Sequence, residues 1–104
     1  MDNPEYTQRM INEALKAQTD LPISICWDGN DPEAGEAANF EIYLDDCDTN
    51  YFVWDHGRSF EVVYFDDDSV YRPAASAARF DKVAKEIIEL ITEDIASGKL
   101  GVEA

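Results

Sequence analysis

The chain has 104 residues, is 45% hydrophobic and carries a net charge of −15. This length suits one domain with one modest core, and its aromatic and β-branched content argues against a disordered acidic tail. No apolar run approaches the roughly 20 residues that span a bilayer, and the first ten residues show neither a basic nor an apolar leader region. We therefore expect a single domain over residues 1–104, located in the cytoplasm.

A helix is predicted at residues 3–18. Asn3 suits its N-cap and Pro4 its first position. Apolar side chains recur at helical spacing along this segment: Tyr6, Met10, Ile11 and Leu15. A short strand is predicted next, at residues 21–27, with Ile23 and Ile25 on one face.

Three further strands are predicted at residues 40–46, 51–56 and 59–65, after a loop at residues 28–39 that is rich in Gly, Pro, Asn and Asp. The short polar connections between them favour an antiparallel meander. Residues 69–71 either add a short edge strand or lead out of the sheet. A second helix, capped by Ser76 and ended by Gly98, carries a wide apolar face over its length.

These elements predict an α+β fold in the order α-β-β-β-β-α. An antiparallel meander of three to four strands would carry an N-terminal and a C-terminal helix packed on one face. Because strand side chains alternate, placing Glu41 outward assigns both faces. The predicted inner set is Phe40, Ile42, Leu44, Phe52, Trp54, Phe60, Val62 and Tyr64. The predicted outer set is Glu41, Tyr43, Asp45, Tyr51, Val53, Asp55, Glu61, Val63 and Phe65.

The negative charge is concentrated in the middle of the chain. Residues 19–71 contain fourteen acidic residues and one basic residue, Arg58. Crowded carboxylates destabilise a fold, so a segment of this charge indicates a compensating use. The alternative is a generally acidic domain whose carboxylates are only solvated.

No metal or cofactor site is predicted. Asp46, Asp48 and Asn50 match the first ligand positions of a calcium loop, but the required glycine is replaced by Tyr51 and the final glutamate by Gly57. Cys26 and Cys47 are expected to be free thiols, because two separated cysteines with the lone His56 do not make a zinc site.

Catalysis and direct nucleic-acid binding are both disfavoured. The sequence shows no nucleophile, base and acid at spacings that suggest a catalytic group, and a thin two-layer fold leaves little room for a cleft. Affinity for phosphate comes from Lys and Arg, of which the central segment has one. We therefore predict a protein that is not an enzyme and has no nucleic-acid partner.

The charge of the central segment fits the reverse relationship better. Its carboxylates would occupy the positions that phosphates take when a nucleic acid binds to a protein. Alternate residues of a strand lie about 6.7 Å apart and neighbouring strands about 4.8 Å apart. This lattice is roughly similar to the phosphates of duplex DNA, in which each strand carries one charge per about 3.4 Å of helix axis. Aromatic side chains between the acids would add burial and specificity. This pattern predicts a basic, nucleic-acid-binding protein as the partner.

The segments "LDDCDTN" and "WDHGRSFEVVYFDDDS", with the helix–meander–helix order, resemble the small acidic DNA mimics of phages and mobile elements, the anti-CRISPR and anti-restriction proteins. The resemblance implies an inhibitor that blocks the DNA-binding groove of a nuclease such as a CRISPR effector. Immunity proteins of basic nuclease toxins, acidic assembly factors and a domain without mimicry remain alternatives, and both a monomer and a homodimer are compatible with the sequence.

The predicted contacts combine the acids of the sheet and turns with three aromatic anchors. The residues are Glu41, Asp45, Asp46, Asp48, Asp55, Glu61, Asp66, Asp67, Asp68, Tyr43, Tyr51 and Phe65. Neutralising the three consecutive aspartates is expected to abolish partner binding and to stabilise the fold slightly.

Overall fold

The computed structural model describes residues 3–29, 38–66, 68 and 70–100. It has an N-terminal helix, five strands and a C-terminal helix. The elements are α1 (Pro4–Gln18), β1 (Ile23–Trp27), β2 (Ala38–Leu44), β3 (Cys47–Asp55), β4 (Phe60–Phe65), β5 (Tyr71–Ala77) and α2 (Phe80–Ala96). The α+β class and the helix–sheet–helix order are as predicted.

The five strands form one antiparallel sheet in the order β1-β2-β3-β4-β5. Each strand pairs with its neighbour in sequence, which is the predicted meander. The fifth strand is the edge strand left open at residues 69–71, but it runs over Tyr71–Ala77. Both helices pack on the same face, where Ile11 and Leu15 of α1 and Ile87 and Ile91 of α2 join the buried strand residues in one core.

The start of α1 and its contact with β1 follow from polar side chains. Oδ1 of Asn3 accepts a hydrogen bond of 2.8 Å from the Glu5 amide, so Asn3 caps the helix as predicted. Further along α1, Asn12 bonds both backbone groups of Ile25, and Gln8 accepts from the Trp27 amide. These amide side chains cover the edge of the sheet at β1, which would otherwise carry unpaired backbone groups.

Strand β5 includes Ser76, the predicted N-cap of the second helix, so this helix begins later than predicted. The alanine-rich sequence "RPAASAA" favours a helix by propensity, but Ala75 and Ala77 pair with Val62 and Phe60. Pro73 is tolerated because β5 is an edge strand. The helix therefore begins at Phe80, after Arg79 at the N-cap, and not at Ser76.

The predicted faces are correct for β2 and β4 and reversed for β3. Val53 pairs with Phe40 and Phe52 pairs with Glu41, so Val53 faces the helices and Phe52 faces away. Trp54 likewise lies on the outer face, whereas Tyr51, Val53 and Asp55 are buried on the inner one. Large apolar side chains occur on both faces of β3, so alternation alone could not choose between the two orientations.

Polar contacts explain why Tyr51 and Asp55 are inside. The Tyr51 hydroxyl donates a hydrogen bond of 2.7 Å to Oδ2 of Asp94 in α2. Oδ1 of Asp55 accepts a hydrogen bond of 2.8 Å from the amide of Gly57, whose positive φ shapes the β3–β4 turn. In both cases burial is compensated by a specific partner.

Within the described residues, neither helix has the length and apolar character needed to cross a bilayer.

Candidate functional site

Five aspartates of the predicted set lie at one end of the sheet. In an antiparallel meander, alternate turns lie at the same end, so the β2–β3 and β4–β5 turns are neighbours about two strand spacings, or roughly 10 Å, apart. We call this group the acidic end: Asp45, Asp46, Asp48, Asp66 and Asp68.

The β2–β3 turn presents carboxylates to solvent. Asp45 and Asp46 have φ values of 49° and 67°, as the two central residues of a type I′ hairpin turn require. Both are exposed, and so is Asp48, whose Oδ1 accepts a hydrogen bond of 2.8 Å from the Asn50 amide. None of the ion pairs within residues 3–29, 38–66, 68 and 70–100 includes these three carboxylates.

The β4–β5 turn is organised by Asp66. Its Oδ1 accepts hydrogen bonds of 3.0 and 3.2 Å from the amides of Asp68 and Val70, and its Oδ2 forms an ion pair with Nε of Arg72. The hydrogen bond from Arg72, helped by the two backbone amides, lowers the pKa of the Asp66 carboxyl below its ordinary value of 3.8. Asp66 thus serves the turn, whereas Asp68 is exposed and Asp67 lies outside the described residues.

The outer face of the sheet carries a group of rings that we call the aromatic cluster: Phe52, Trp54, Phe65 and Tyr71. The Tyr71 ring is central, with centroid distances of 5.5 Å to Phe52, 5.3 Å to Trp54 and 5.1 Å to Phe65. Val63, on the same face of β4, is only 1% exposed. The cluster gives the face without helices an apolar surface of its own.

Two glutamates flank the aromatic cluster. Glu41 is the cross-strand partner of Phe52, and Glu61 is the cross-strand partner of Trp54. Glu61 lies 3.6 Å from Nε2 of His56. Glu41 accepts a hydrogen bond from the Tyr43 hydroxyl, and this bond, with burial and the nearby negative charge, raises the pKa of Tyr43 to about 12.

Because the side chains of β3 face opposite to the prediction, two of the predicted contact residues are buried and not on the surface. Asp55 and Tyr51 are each 4% exposed and face the helices. Burial and the hydrogen bond to Asp94 raise the pKa of the Tyr51 hydroxyl above its ordinary value. The Tyr51–Asp94 contact is covered by Lys99, whose Nζ lies 3.9 Å from Oδ2 of Asp94. This cluster holds the end of α2 against β3.

Apart from Asp67, which lies outside the described residues, the remaining predicted residues fall into two adjoining regions, the acidic end and the outer face that carries Glu41, Tyr43, Glu61 and Phe65. The sequence reasoning missed Trp54, Val70 and Tyr71. Val70 and Tyr71 are 45% and 44% exposed and are two of the three exposed large hydrophobic residues in the described part of the chain. The run "VYR" after an acidic turn was the available signal for an exposed apolar pair at the start of β5, with Val70 just before the strand and Tyr71 as its first residue.

The described residues contain no group of three or more His, Cys, Asp or Glu side chains arranged to hold a metal ion. Cys26 and Cys47 are exposed and unpaired thiols.

An open groove of about 650 Å³ lies at the opposite end of the sheet, between α1, the β3–β4 turn and the start of α2. Two of its carboxylates are already bonded, Asp55 to the Gly57 amide and Asp81 to Arg79 at 3.3 Å. The groove is separate from the acidic end.

Comparison of the chain with protein-family models, with curated proteins and with solved structures finds no match.

Proposed function

We propose that this protein is an inhibitor that binds a nucleic-acid-binding protein by presenting a DNA-like negative surface. The proposed target is a nuclease whose DNA-binding groove becomes blocked, as in anti-CRISPR or anti-restriction proteins acting in the cytoplasm of the host cell. The chain itself has no catalytic role in this proposal.

The observation that carries the proposal is the pairing of exposed carboxylates with an apolar face. Asp45, Asp46 and Asp48 are exposed without ion pairs among the described residues, close to the turn that carries Asp68. Repulsion between such groups costs folding free energy, which binding to a cationic surface would offset. The aromatic cluster beside them supplies the apolar contact that charge alone lacks.

The sign and the position of the charge limit the possible partners. A nucleic acid or an anionic membrane surface would be repelled, because affinity for both comes from basic side chains. A second copy that used the same surface would bring two chains of charge −15 together. A basic groove built to hold phosphates is the surface most complementary to this one.

The proposal is tested by inhibition of DNA cleavage with a panel of purified enzymes: a Cas9-type effector with its guide, a restriction endonuclease and a basic nuclease toxin. Inhibition of at least one enzyme is expected. Inhibition of the toxin alone would assign the chain to the immunity proteins, and inhibition of none would contradict the proposal.

Two variants make the test specific to the surface. Asp45→Asn/Asp46→Asn/Asp68→Asn removes three charges from the acidic end, and asparagine tolerates the positive φ of the first two positions. Glu5→Gln/Glu13→Gln/Glu89→Gln removes three exposed charges from the helices. Inhibition should weaken about tenfold in the first variant and stay near the wild-type value in the second.

A further inference from the structure

Tyr71 is both exposed and firmly supported. Its side chain contacts three other rings, yet the residue remains 44% exposed. A ring held in this way loses little conformational freedom when a partner covers it, which is the property of an interface anchor. Exposed Val70 precedes it and extends the apolar surface towards Asp68.

Carboxylates lie beside the same rings. Glu61 is next to Trp54 and Glu41 is next to Phe52 across the strands, on the face that carries Tyr71. In the described part of the chain, the cations found over rings are Arg9 over Tyr6 and Lys99 over Tyr51 and Tyr64. In that part of the chain, the rings of the outer aromatic cluster thus lie beside negative charge with no Lys or Arg over them, and the basic side chain beside Trp54 and Glu61 is the imidazole of His56, with Nε2 3.6 Å from Glu61.

Ring faces next to carboxylates favour an arginine of the partner over a lysine. A guanidinium is planar and weakly hydrated, so it can stack on a ring while its N–H groups, which point outward in its own plane, reach carboxylates beside the ring. A lysine ammonium is compact and strongly hydrated, and gains less from a ring at a solvent-exposed site. Charge complementarity selects a cationic partner, and the rings select arginine.

We propose that Tyr71, Trp54 and Glu61 form a seat for an arginine side chain of the partner protein. The inference rests on the proposed function and adds the chemistry of the contact: a basic surface that projects arginine, with the guanidinium stacked on Tyr71 and bonded to Glu61. Binding at this seat depends on ring contact, whereas attraction to the acidic end depends on charge alone.

Two synthetic peptides of equal charge, nona-arginine and nona-lysine, test the seat by calorimetric titration of the whole protein at moderate ionic strength. The wild-type protein should bind nona-arginine about fivefold more tightly than nona-lysine. This ratio should fall to near one in Tyr71→Leu. It should be retained in Tyr71→Phe, which keeps the ring, and in Tyr6→Leu, which removes the other exposed tyrosine, on α1.

The outcomes separate the seat from the proposed function. A preference for arginine that persists in Tyr71→Leu would overturn the seat, as would equal affinity of the wild-type protein for the two peptides. The wild-type protein could bind both peptides equally, and Asp45→Asn/Asp46→Asn/Asp68→Asn could bind both more weakly. That result would support the charge-based function and contradict the seat. Failure of both peptides to bind would contradict the cationic partner and the seat together. Retention of the wild-type circular dichroism spectrum by Tyr71→Leu excludes unfolding as the cause of a lost preference.

Discussion

Asp66 forms an ion pair with Arg72 across the β4–β5 turn, so the first of the three consecutive aspartates is held by the chain itself. Asp68, two residues later, is exposed and offers its carboxylate to solvent. Asp66 and Asp68 thus differ in their contacts although they belong to the same run of aspartates. This changes the expectation that neutralising all three stabilises the fold, since Asp66 contributes to the turn.

Replacing Asp66 by asparagine should lower the urea midpoint of unfolding at pH 7, because the ion pair with Arg72 is lost. The pKa of Asp66 is lowered in the folded state, so its contribution is present above the ordinary aspartate value of 3.8 and disappears as the pH falls through the lowered pKa. The difference between wild-type protein and Asp66→Asn should therefore be constant near neutrality and shrink below about pH 4.

Asp68→Asn is the matched control for this experiment, because it removes a neighbouring charge that forms no ion pair with the described residues. Its urea midpoint should equal or slightly exceed that of the wild-type protein at pH 7. A stability difference for Asp66→Asn that does not change between pH 7 and pH 2 would show that the ion pair is not its cause.

Tyr51→Phe should destabilise the protein through Asp94. The change removes the 2.7 Å hydrogen bond and leaves a carboxylate, in a residue only 8% exposed, with Lys99 as its remaining side-chain partner. A buried polar group that loses its partner costs about 1–3 kcal/mol of unfolding free energy. Urea denaturation followed by circular dichroism measures this loss.

Tyr43→Phe provides the comparison, since its hydroxyl also donates to a carboxylate but on the open face of the sheet. Water can replace that bond, so the loss should stay below about 1 kcal/mol. Equal losses of unfolding free energy in the two variants would contradict the burial of the Tyr51 side chain on the inner face of the sheet.

The fold was largely predictable from the sequence because most elements have one dominant pattern. Phe40, Ile42 and Leu44 alternate with polar residues, and the structure buries them as expected. The sequence "YFVWD" has apolar residues on both faces, so the orientation of β3 depends on cross-strand partners and on the bonds of Tyr51 and Asp55. Those are tertiary contacts that local periodicity does not contain.

For the candidate site, the sequence located the exposed acidic residues better than the exposed aromatic ones. The turn signals around Asp45 and Asp46 located exposed carboxylates correctly. Tyr71 was missed as a contact because residues 69–71 are compatible in sequence with an edge strand or with a segment that leaves the sheet, and the strand forms only where β4 supplies its hydrogen bonds.

Crowding at the acidic end predicts an unusual response to salt. The thermal midpoint of the wild-type protein should rise by a few degrees between about 20 mM and 300 mM NaCl, because the Debye length falls below the distance between the turns. The variant Asp45→Asn/Asp46→Asn/Asp68→Asn should be more stable at low salt and respond less. The variant with three charges removed from the helices should retain most of the wild-type salt response, and equal responses in all three proteins would argue against local crowding.

In the proposed complex, the acidic end and the outer aromatic face occupy a groove that otherwise holds DNA. Displacement of a fluorescent target duplex from the nuclease that the protein inhibits, followed by anisotropy at fixed ionic strength, tests this claim. We predict competitive displacement by the wild-type protein, about tenfold weaker displacement by Asp45→Asn/Asp46→Asn/Asp68→Asn and unchanged displacement by the helix variant. Inhibition in which the duplex stays bound, or equal displacement by both variants, would contradict the claim.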